Sequence, residues 1–415
     1  MASDSFSPYA ATAANPNWEL FIRREHTLYS REDDIRSPFE RDYTRVLHSM
    51  AYRRLKHKTQ VFFNIDNDHI CTRMEHVSHV ESVSSTIAKR LGLNPELTKA
   101  ISISHDLGHA PFGHQGEVVL REISNKYLGQ DFWHEQNGLR FVDMLELLED
   151  NYKNNKNLNL TYAVRDGIIS HCGEVDQNGI KPRDISISIE DIDAPGKYQA
   201  ATWEGCVVKM ADKIAYVGRD IEDAITLGIL DQSDQHELLR MARVYDQGVL
   251  NTTVIMHNMI IDICRHSSPE AGIKLSEEFN QQLNEIKSFN YKRIYHHRRL
   301  QPYIHYSSLV INQLFDVLMS TYDGKHSWDA LAANRSFAPT LFSSFEQWLS
   351  KYCLASIVPT GDLLEKALQC DNVKIYRELE TQEIYAQAII DFISGMTDRF
   401  AVTLFNELLQ FGVHG

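Results

Sequence analysis

The stretch that decides how this chain is interpreted is His-Asp-Leu-Gly-His-Ala-Pro-Phe-Gly-His-Gln-Gly-Glu, residues 105–117. It concentrates imidazoles and carboxylates around Gly and Pro, the residues that most often interrupt regular backbone. Neutral imidazole and carboxylate oxygen are the side-chain ligands that borderline and hard divalent cations take in proteins. The adjacent pair His105-Asp106 therefore predicts a metal-dependent hydrolytic site.

Two further residues can complete the coordination sphere of that pair, His76 earlier in the chain and Asp212 later. Together the four residues suit Mn²⁺, Mg²⁺, Fe²⁺ or Zn²⁺. Four protein ligands leave open positions only around an octahedral cation, and water and substrate would occupy those positions. A histidine on an apolar helix face is usually a core residue, so the ligand interpretation of His76 depends on its partners.

The composition limits the classes of protein to consider. A chain of 415 residues that is 43% hydrophobic can bury a large core, in one large domain or in two to three smaller ones. A net charge of -14 argues against a general nucleic-acid binder, whose basic residues would be in excess. The six cysteines lack a C-x-x-C pair, and no apolar run suits a membrane span. We expect a cytoplasmic protein with no membrane segment.

Periodic apolar residues predict a mainly α fold. Ser37 to Glu40 form a capping box with Pro in the first helical position, which predicts a helix running to about His57. A second helix begins at Met74 and ends at Gly92, and it carries His76 on its apolar face. Asn94 then caps a helix that brings His105 to its inner face, one turn after the last apolar residues.

A long helix is predicted from about Tyr198 to Leu230, and Asp212 lies within it. Tyr216 and Asp220 follow Asp212 at helical spacing, so all three side chains share one face. Strand signals are few. They predict a short hairpin over residues 61–72 and one small strand over residues 185–189.

Three blocks of this sequence resemble the dGTP or dNTP triphosphohydrolases of the HD superfamily. The blocks are residues 36–62, residues 105–117, and Ala-Asp-Lys-Ile-Ala-Tyr at 211–216. Because they occur in order, the resemblance is more specific than a His-Asp pair alone. It spans roughly residues 36–225. We therefore expect a loose tail over 1–16, an HD-domain catalytic core over 17–300, and a C-terminal helical region over 301–415 packed on that core.

The resemblance implies roles for individual residues. The metal ligands would be His76, His105, Asp106 and Asp212. The catalytic pair would be His114 and Glu117, and the histidines that face the phosphates would be His109 and His134, with His134 a proton donor in related enzymes. The triphosphate contacts would be Arg73 and Lys213. The residues around the deoxyribose would be Gln60, Tyr216 and Asp220.

The implied reaction converts a dNTP, dGTP first among them, to the deoxynucleoside and inorganic triphosphate. Water would attack the α-phosphorus with help from a divalent cation, Mn²⁺ or Mg²⁺ before Fe²⁺, Zn²⁺ or Co²⁺. An imidazole would protonate the leaving oxygen, and the ring of Tyr216 would exclude a ribose 2′-hydroxyl. Relatives also imply a homo-oligomer, hexamer or tetramer, and an allosteric nucleotide.

Two other functions stay open. One is an HD phosphohydrolase that acts on nucleoside monophosphates, alarmones or cyclic nucleotides. The other is a nucleotide sensor or nucleic-acid-binding protein, for which the basic and aromatic cluster Lys292 to Arg299 offers a weak single-strand surface. Basic runs are more often solvated faces. His171-Cys172 and His296-His297 are interpreted as structural residues or, at most, as indirect supports of the metal site.

Overall fold

The computed structural model describes residues 6–28, 33–62, 69–172, 178–242 and 252–410, and these residues are predominantly helical. The predicted mainly α fold is confirmed. The six cysteines are all free. Among the described helices, none combines the length and the apolar composition that crossing a membrane would require.

The α-helices are distributed along the whole described chain. They are α1 (Trp18–Phe21), α2 (Pro38–His48), α3 (Met50–Arg54), α4 (Arg73–Leu91), α5 (Pro95–Ser104), α6 (Gly113–Leu128), α7 (His134–Arg140), α8 (Tyr162–Ser170), α9 (Trp203–Thr226), α10 (Gln232–Ala242), α11 (Thr252–His266), α12 (Glu277–Asn290), α13 (Gln301–Met319), α14 (Ser327–Asn334), α15 (Pro339–Tyr352), α16 (Asp362–Leu368), α17 (Gln382–Ser394) and α18 (Asp398–Leu409). Short 3₁₀ or π turns cover Ser7–Tyr9, Leu55–His57, Phe141–Leu145, Ile189–Asp191, Tyr291–Tyr295, Arg298–Leu300 and Ala355–Ile357.

In the described chain the strands form one antiparallel hairpin, β1 (Leu147–Glu149) with β2 (Asn155–Asn157), in which Leu148 pairs with Lys156. The hairpin expected over 61–72 has residues 63–68 outside the described residues, and no strand is formed by the described residues beside them. The strand predicted over 185–189 is wrong. Ser188 instead makes a capping box with Asp191 and starts a 3₁₀ turn, because this local hydrogen bond competes with extended backbone.

The helix boundaries follow the capping residues. Ser37 and Glu40 exchange the two hydrogen bonds of a capping box, and Gly92 ends α4 with φ 79°. The helix expected to run to about His57 instead ends at His48, because Ser49 caps a new helix by accepting from the Tyr52 N–H. The long helix is also shorter than predicted, since its start is fixed by the cap residue Thr202.

The chain forms two compact units, each built from three separate segments. Unit 1 comprises Met1–Leu47, Ile65–Leu107 and Asn159–Gln301, and unit 2 comprises His48–Asn64, Gly108–Leu158 and Pro302–Gly415. One division between the units, after Gln301, lies next to the boundary predicted at 300, and the predicted boundary at 16 lies inside a segment of unit 1. The assignment of residues 17–300 as a catalytic core stays a prediction.

Unit 1 is organised around α9, which packs against α4, α5, α8, α11 and α12. Helix α4 also packs along α5. The inner face of α9 buries Cys206, Met210, Ile214, Val217 and Ile221. In unit 2, α6 packs on α17, and α15 packs on α14, α16, α17 and α18. Each unit therefore holds its own apolar core, as burial of amphipathic helix faces requires.

The described part of the predicted tail is not loose. Phe6 is buried in unit 1, where its ring lies edge to face on Trp203 with centroids 4.9 Å apart. The Ala11 N–H donates to Glu204 Oε1 at 2.8 Å, and Asn94 Nδ2 donates to the Ala11 carbonyl at 2.7 Å. A segment of small residues can thus take a fixed position when side chains from distant parts of the sequence form hydrogen bonds with its backbone N–H and carbonyl groups.

Candidate metal centre and catalytic residues

Three helices of unit 1 carry the predicted metal ligands. His76 lies on the first turns of α4, His105 follows the last residue of α5 with Asp106 next to it, and Asp212 lies in the middle of α9. Because α4 packs on both α5 and α9, these side chains converge. We call His76, His105, Asp106 and Asp212 the cation group.

The distances within the cation group are those of a potential metal site. His76 Nε2 lies 2.9 Å from Asp212 Oδ1 and 3.9 Å from Asp106 Oδ2. His105 Nε2 lies 3.3 Å from Asp106 Oδ1 and 3.8 Å from Asp212 Oδ1. Ligand atoms of His76, His105 and Asp212 all lie within 4.8 Å of one another. The group therefore has the spacing and the donor chemistry to hold a divalent cation.

The ring of His105 is oriented as a metal ligand requires. Its Nδ1 lies 2.6 Å from the Ser102 carbonyl oxygen, which can only accept a hydrogen bond, so the proton is on Nδ1. Nε2 then carries a lone pair. This atom is buried and has no hydrogen-bond partner among the described residues. A cation would satisfy it, and the carbonyl would hold the tautomer.

His76 and Asp212 form a buried ionic pair. Burial by itself lowers the pKa of His76 and raises the pKa of Asp212. Their mutual hydrogen bond and the attraction of the neighbouring opposite charges together outweigh burial, so the pKa of His76 is raised and that of Asp212 is lowered. Without a cation, this pair binds a proton more tightly than an isolated imidazole does. Since metal ligands must be deprotonated, cation affinity should weaken as the pH falls.

Arg73 lies beside the cation group rather than at the surface. It is the first residue of α4, it is buried, and its Nη1 donates to Asp106 Oδ2 at 2.8 Å. Lys213, next to Asp212, is also buried. Both residues predicted to contact a triphosphate thus place positive charge in the interior of unit 1, which is the electrostatic requirement for binding a polyanion.

The sugar-facing residues predicted on α9 lie one and two turns after Asp212. Tyr216 is partly buried, and Asp220 is buried. Asp220 Oδ2 accepts a hydrogen bond from the Tyr295 hydroxyl at 2.5 Å, while Asp220 Oδ1 is buried without a hydrogen-bond partner among the described residues. An unsatisfied buried acceptor is costly, so this oxygen is suited to a donor from a ligand.

Burial raises the pKa of Asp220 to about 7, even though the hydrogen bond from Tyr295 lowers it. When folding raises the pKa of a carboxyl, the stability that this group contributes is fully present below the pKa of the unfolded state. It is lost as the pH rises through the pKa of the folded state. In metal-free protein, Asp220→Asn should therefore gain stability relative to the unmodified protein as the pH rises from 5 to 7. The upper limit is about 1.4 kcal/mol per pH unit.

Urea unfolding at pH 5, 6 and 7 with a chelator present measures this prediction, and Asp231→Asn, at an exposed position of the same unit, is the control. A stability difference between the Asp220→Asn variant and the unmodified protein that stays constant over these pH values would contradict it.

In unit 2, the backbone after the His-Asp pair is closely packed. A Cβ at Gly108 would lie 2.1 Å from the Gly138 backbone nitrogen, so only glycine fits there. Phe112 has φ 64°, a left-handed conformation that costs energy for a residue with a side chain, and its N–H donates to Asp398 Oδ1 at 2.9 Å. The Lys58 Nζ donates to the His109 carbonyl. These contacts fix the start of α6.

Helix α6 presents His114 and Glu117 one turn apart, with His114 exposed and Glu117 buried. Glu117 Oε2 lies 2.9 Å from His134 Nδ1, and Glu117 Oε1 accepts from Arg121 Nη2 at 3.0 Å. Burial raises the pKa of Glu117, but His134 above all outweighs burial and holds it at about 2. The carboxylate is therefore ionised at neutral pH and orients the His134 imidazole.

The predicted histidines of unit 2 are grouped around that carboxylate. The rings of His109 and His134 are nearly stacked, with centroids 3.8 Å apart, and the ring of His114 lies 6.2 Å from that of His109. Gln60, predicted near the deoxyribose, buries its Oε1 without a hydrogen-bond partner among the described residues. We call His109, His114, Glu117 and His134 the proton-transfer group. Their catalytic roles stay predictions.

Two residues near the cation group were not proposed from the sequence. His171 was interpreted as structural or, at most, as an indirect support of the metal site, and its ring lies 4.8 Å from that of His105. Tyr295 was considered only as part of a basic and aromatic cluster. His171 follows an apolar helical segment in the sequence, as His105 does, and this position could have indicated that it lies near the site. For Tyr295 no local signal exists, because its partner Asp220 is distant in sequence.

The Lys292 to Arg299 cluster is partly engaged within unit 1. Arg293 makes ion pairs with Asp234 and Glu237 at 3.4 Å, and Arg299 donates to the Leu227 carbonyl at 3.0 Å. The remaining charges of the cluster are compatible with a solvated face. A weak single-strand surface here stays a prediction.

Comparison with protein families gives two matches. The HD domain family matches residues 73–217, and the phosphohydrolase-associated domain family matches residues 273–333. The first match contains the whole cation group. The second contains Tyr295.

Curated relatives match most of the chain. A deoxyguanosinetriphosphate triphosphohydrolase-like protein of Desulfatibacillum aliphaticivorans is 32% identical, over 90% of this chain and 88% of the relative. Proteins with the same name from Caldanaerobacter subterraneus and Clostridium tetani are 35% and 31% identical, over 74% and 92% of this chain and 78% and 88% of the relatives. The resemblance stated from the sequence is confirmed. This chain therefore belongs to the deoxyguanosinetriphosphate triphosphohydrolase-like family of HD-domain phosphohydrolases.

Proposed function

We propose that this phosphohydrolase converts a deoxynucleoside triphosphate, with dGTP the first candidate, to the deoxynucleoside and inorganic triphosphate. The observation that carries the proposal is the cation group of unit 1 with Arg73 buried on Asp106. Cation ligands beside a buried guanidinium suit a phosphate chain, which binds both kinds of positive charge. The names of the relatives supply dGTP as the nucleotide.

His76, His105, Asp106 and Asp212 would hold the cation, with Mn²⁺ or Mg²⁺ as the first candidates. When bound, the cation would neutralise charge on an α-phosphate oxygen and make a water molecule more acidic. Arg73 and Lys213 would bind the outer phosphates as fixed positive charges. Because both side chains are buried, their attraction for a phosphate is less screened than at the surface.

The proton-transfer group would protonate the leaving 5′-oxygen. Cleavage at the α-phosphorus releases an alkoxide, which must gain a proton as it leaves. Glu117 is ionised and hydrogen-bonded to His134 Nδ1, so it stabilises an imidazolium that can give up the proton from its other nitrogen. His109 would contact the phosphates, and His114 would act with Glu117 as the catalytic pair.

Recognition of the sugar 3′-hydroxyl is supported by two buried oxygens. Asp220 Oδ1 and Gln60 Oε1, in separate units, have no hydrogen-bond partner among the described residues. Either acceptor suits a hydroxyl donor such as the sugar 3′-hydroxyl. A nucleotide without that hydroxyl would leave the acceptor unpaired, at a cost of about 1–3 kcal/mol. Tyr216, on the same helix face as Asp220, would exclude a 2′-hydroxyl.

Product analysis tests the proposal. Purified protein is incubated with each dNTP, singly and in mixtures that could supply an allosteric nucleotide, with Mn²⁺ or Mg²⁺. We expect deoxynucleoside and inorganic triphosphate in equal amounts, with dGTP cleaved fastest. The 2′,3′-dideoxy analogue should react about tenfold to a hundredfold more slowly, as the loss of one buried hydrogen bond predicts. Monophosphate with pyrophosphate, or no product from any dNTP, would contradict the proposal.

A further inference from the structure

The side chain of Asp398 joins two segments of unit 2 that carry predicted site residues. Asp398 is the first residue of α18, and it is buried. Its Oδ1 accepts from the Phe112 N–H at 2.9 Å, and its Oδ2 accepts from the Thr59 N–H at 2.9 Å. Both carboxylate oxygens therefore bind backbone groups that are distant from Asp398 in sequence.

Asp398 is not needed to cap its own helix. The preceding residue, Thr397, caps α18 by accepting from the Phe400 N–H at 3.1 Å. A carboxylate in the first turn of a helix is favoured by the helix dipole, which offsets part of the cost of burying its charge. What distinguishes Asp398 from an ordinary acidic residue of a first turn is therefore its pair of bonds to Thr59 and Phe112.

The two N–H donors lie next to residues of the proposed site. Thr59 precedes Gln60, whose buried Oε1 has no hydrogen-bond partner among the described residues. Phe112 follows His109 closely and has φ 64°, the left-handed conformation from which α6 begins. A residue with a side chain keeps such a conformation only where the surrounding contacts enforce it. The bond to Asp398 is one of those contacts.

Lys58 connects the same segments of unit 2 by separate bonds. Its Nζ donates to the His109 carbonyl and, at 2.9 Å, to the carbonyl of Ser394, the last residue of α17. Lys58 therefore holds carbonyl groups, whereas Asp398 holds N–H groups. Because the bonds differ, loss of the Asp398 carboxylate leaves those of Lys58 in place.

Helix α17 is also fixed independently of Asp398. Arg140, on the helix that begins with His134, donates to the two carboxylate oxygens of Asp391 on α17, from Nε at 2.8 Å and from Nη2 at 2.7 Å. Helix α17 also packs on α6. We therefore expect α17 to keep its place when Asp398 is changed, so that the effect of the change is local.

We propose that Asp398 is a positioning residue for the reaction, because its carboxylate fixes the Gln60 segment and the start of α6 relative to each other. The inference rests on the proposed function for the roles of Gln60 and of the histidines beside and on α6. It assigns a role to a part of the chain that neither family match reaches, since those matches end at residues 217 and 333.

Asp398→Asn tests the carboxylate with little change of shape. The amide oxygen can still accept from one N–H, but the amide nitrogen is a donor and opposes the other N–H. A displacement of about 1 Å can cost about a hundredfold in rate, so we expect kcat for dGTP to fall about tenfold to a hundredfold. KM should rise less than about threefold, because Arg73 and Lys213, which are proposed to bind the phosphates, belong to unit 1.

Amide hydrogen exchange, followed by mass spectrometry, measures the positioning without nucleotide. In Asp398→Asn, exchange should become about tenfold faster or more in residues 55–62 or in residues 109–116. In Asp398→Ala, which removes both acceptors, both segments should show this change. Exchange in α13 and α15, elsewhere in unit 2, should stay the same. Asp362→Asn is the matched control, because Asp362 is the first residue of α16 in the same unit and is exposed.

The two measurements separate this inference from the proposed function. Slower turnover by folded Asp398→Asn, with faster exchange confined to the two segments, supports the inference. Unchanged exchange in both segments or an unchanged kcat would overturn it. Unfolding of both variants, or a uniform rise of exchange through unit 2, would show a general structural role and would also overturn it. If the unmodified protein cleaves no dGTP, the proposed function fails, and hydrogen exchange still decides whether Asp398 fixes the two segments.

Discussion

Replacing Asp106 with Asn is expected to reduce kcat/KM for dGTP by about three orders of magnitude or more. Asp106 approaches both imidazoles of the cation group and accepts from Arg73, so it is central to the ligand set. Asn keeps the shape but removes the negative charge that balances the cation. A cation contributes several kcal/mol to such reactions, and about 4 kcal/mol corresponds to a thousandfold in rate. Release of inorganic triphosphate measures the effect.

The same change should also destabilise the protein, because Arg73 is buried and loses its ionic partner. Removing one partner of a buried ion pair costs about 3–5 kcal/mol. Circular dichroism and thermal unfolding must therefore show that Asp106→Asn is folded at the assay temperature. Asp362→Asn, at an exposed position, is the control. A folded Asp106→Asn variant that keeps more than a tenth of the activity would refute the assigned role of this carboxylate.

Replacing Glu117 with Gln is expected to lower kcat by about two to four orders of magnitude, which is the usual contribution of general acid-base catalysis. Glu117 accepts from His134, and its pKa of about 2 keeps it charged at every pH at which the protein is assayed. Gln can still accept a hydrogen bond but brings no charge, so it cannot stabilise the imidazolium form of His134. Glu122→Gln, at an exposed position of the same helix, is the control.

Stability should report the Glu117 charge independently of activity. The pKa of this carboxyl is lowered on folding from 4.5 to about 2. Its stabilising contribution, about 3 kcal/mol, is therefore present above pH 4.5 and is lost as the pH falls toward 2. The difference in unfolding free energy between unmodified protein and Glu117→Gln should shrink over that range. A normal kcat in Glu117→Gln together with a constant stability difference would remove Glu117 from the proton-transfer group.

Local sequence signals were sufficient for much of unit 1. Gly92, at φ 79°, fixes the end of α4, and the Asn94 cap fixes the start of α5. His105 directly follows the last residue of α5. Helical spacing put Tyr216 and Asp220 on the face of α9 that carries Asp212. These features depend on hydrogen bonds and periodicities that reach only a few residues along the chain, which is why they could be predicted.

Other local predictions failed because a competing local signal was stronger. Ser49 divides the helix expected to continue to His57, and Thr202 starts α9 later than its apolar pattern suggests. In both cases the cap residue satisfies backbone N–H groups at the start of a helix, and the pattern of apolar residues does not indicate where those groups are. The hydrogen bonds that order the described start of the chain involve Glu204 and Asn94, which no local pattern could associate with it.

The sequence by itself determined that the fold is mainly helical, that the family is that of HD-domain phosphohydrolases, and which four side chains could hold a cation. Only the tertiary structure decided that Arg73 is buried on Asp106, that Tyr295 donates to Asp220, and that His171 lies against His105. The physical reason is that burial, pKa and coordination depend on neighbours in space. In this chain those neighbours come from helices far apart in sequence, whose packing no local pattern encodes.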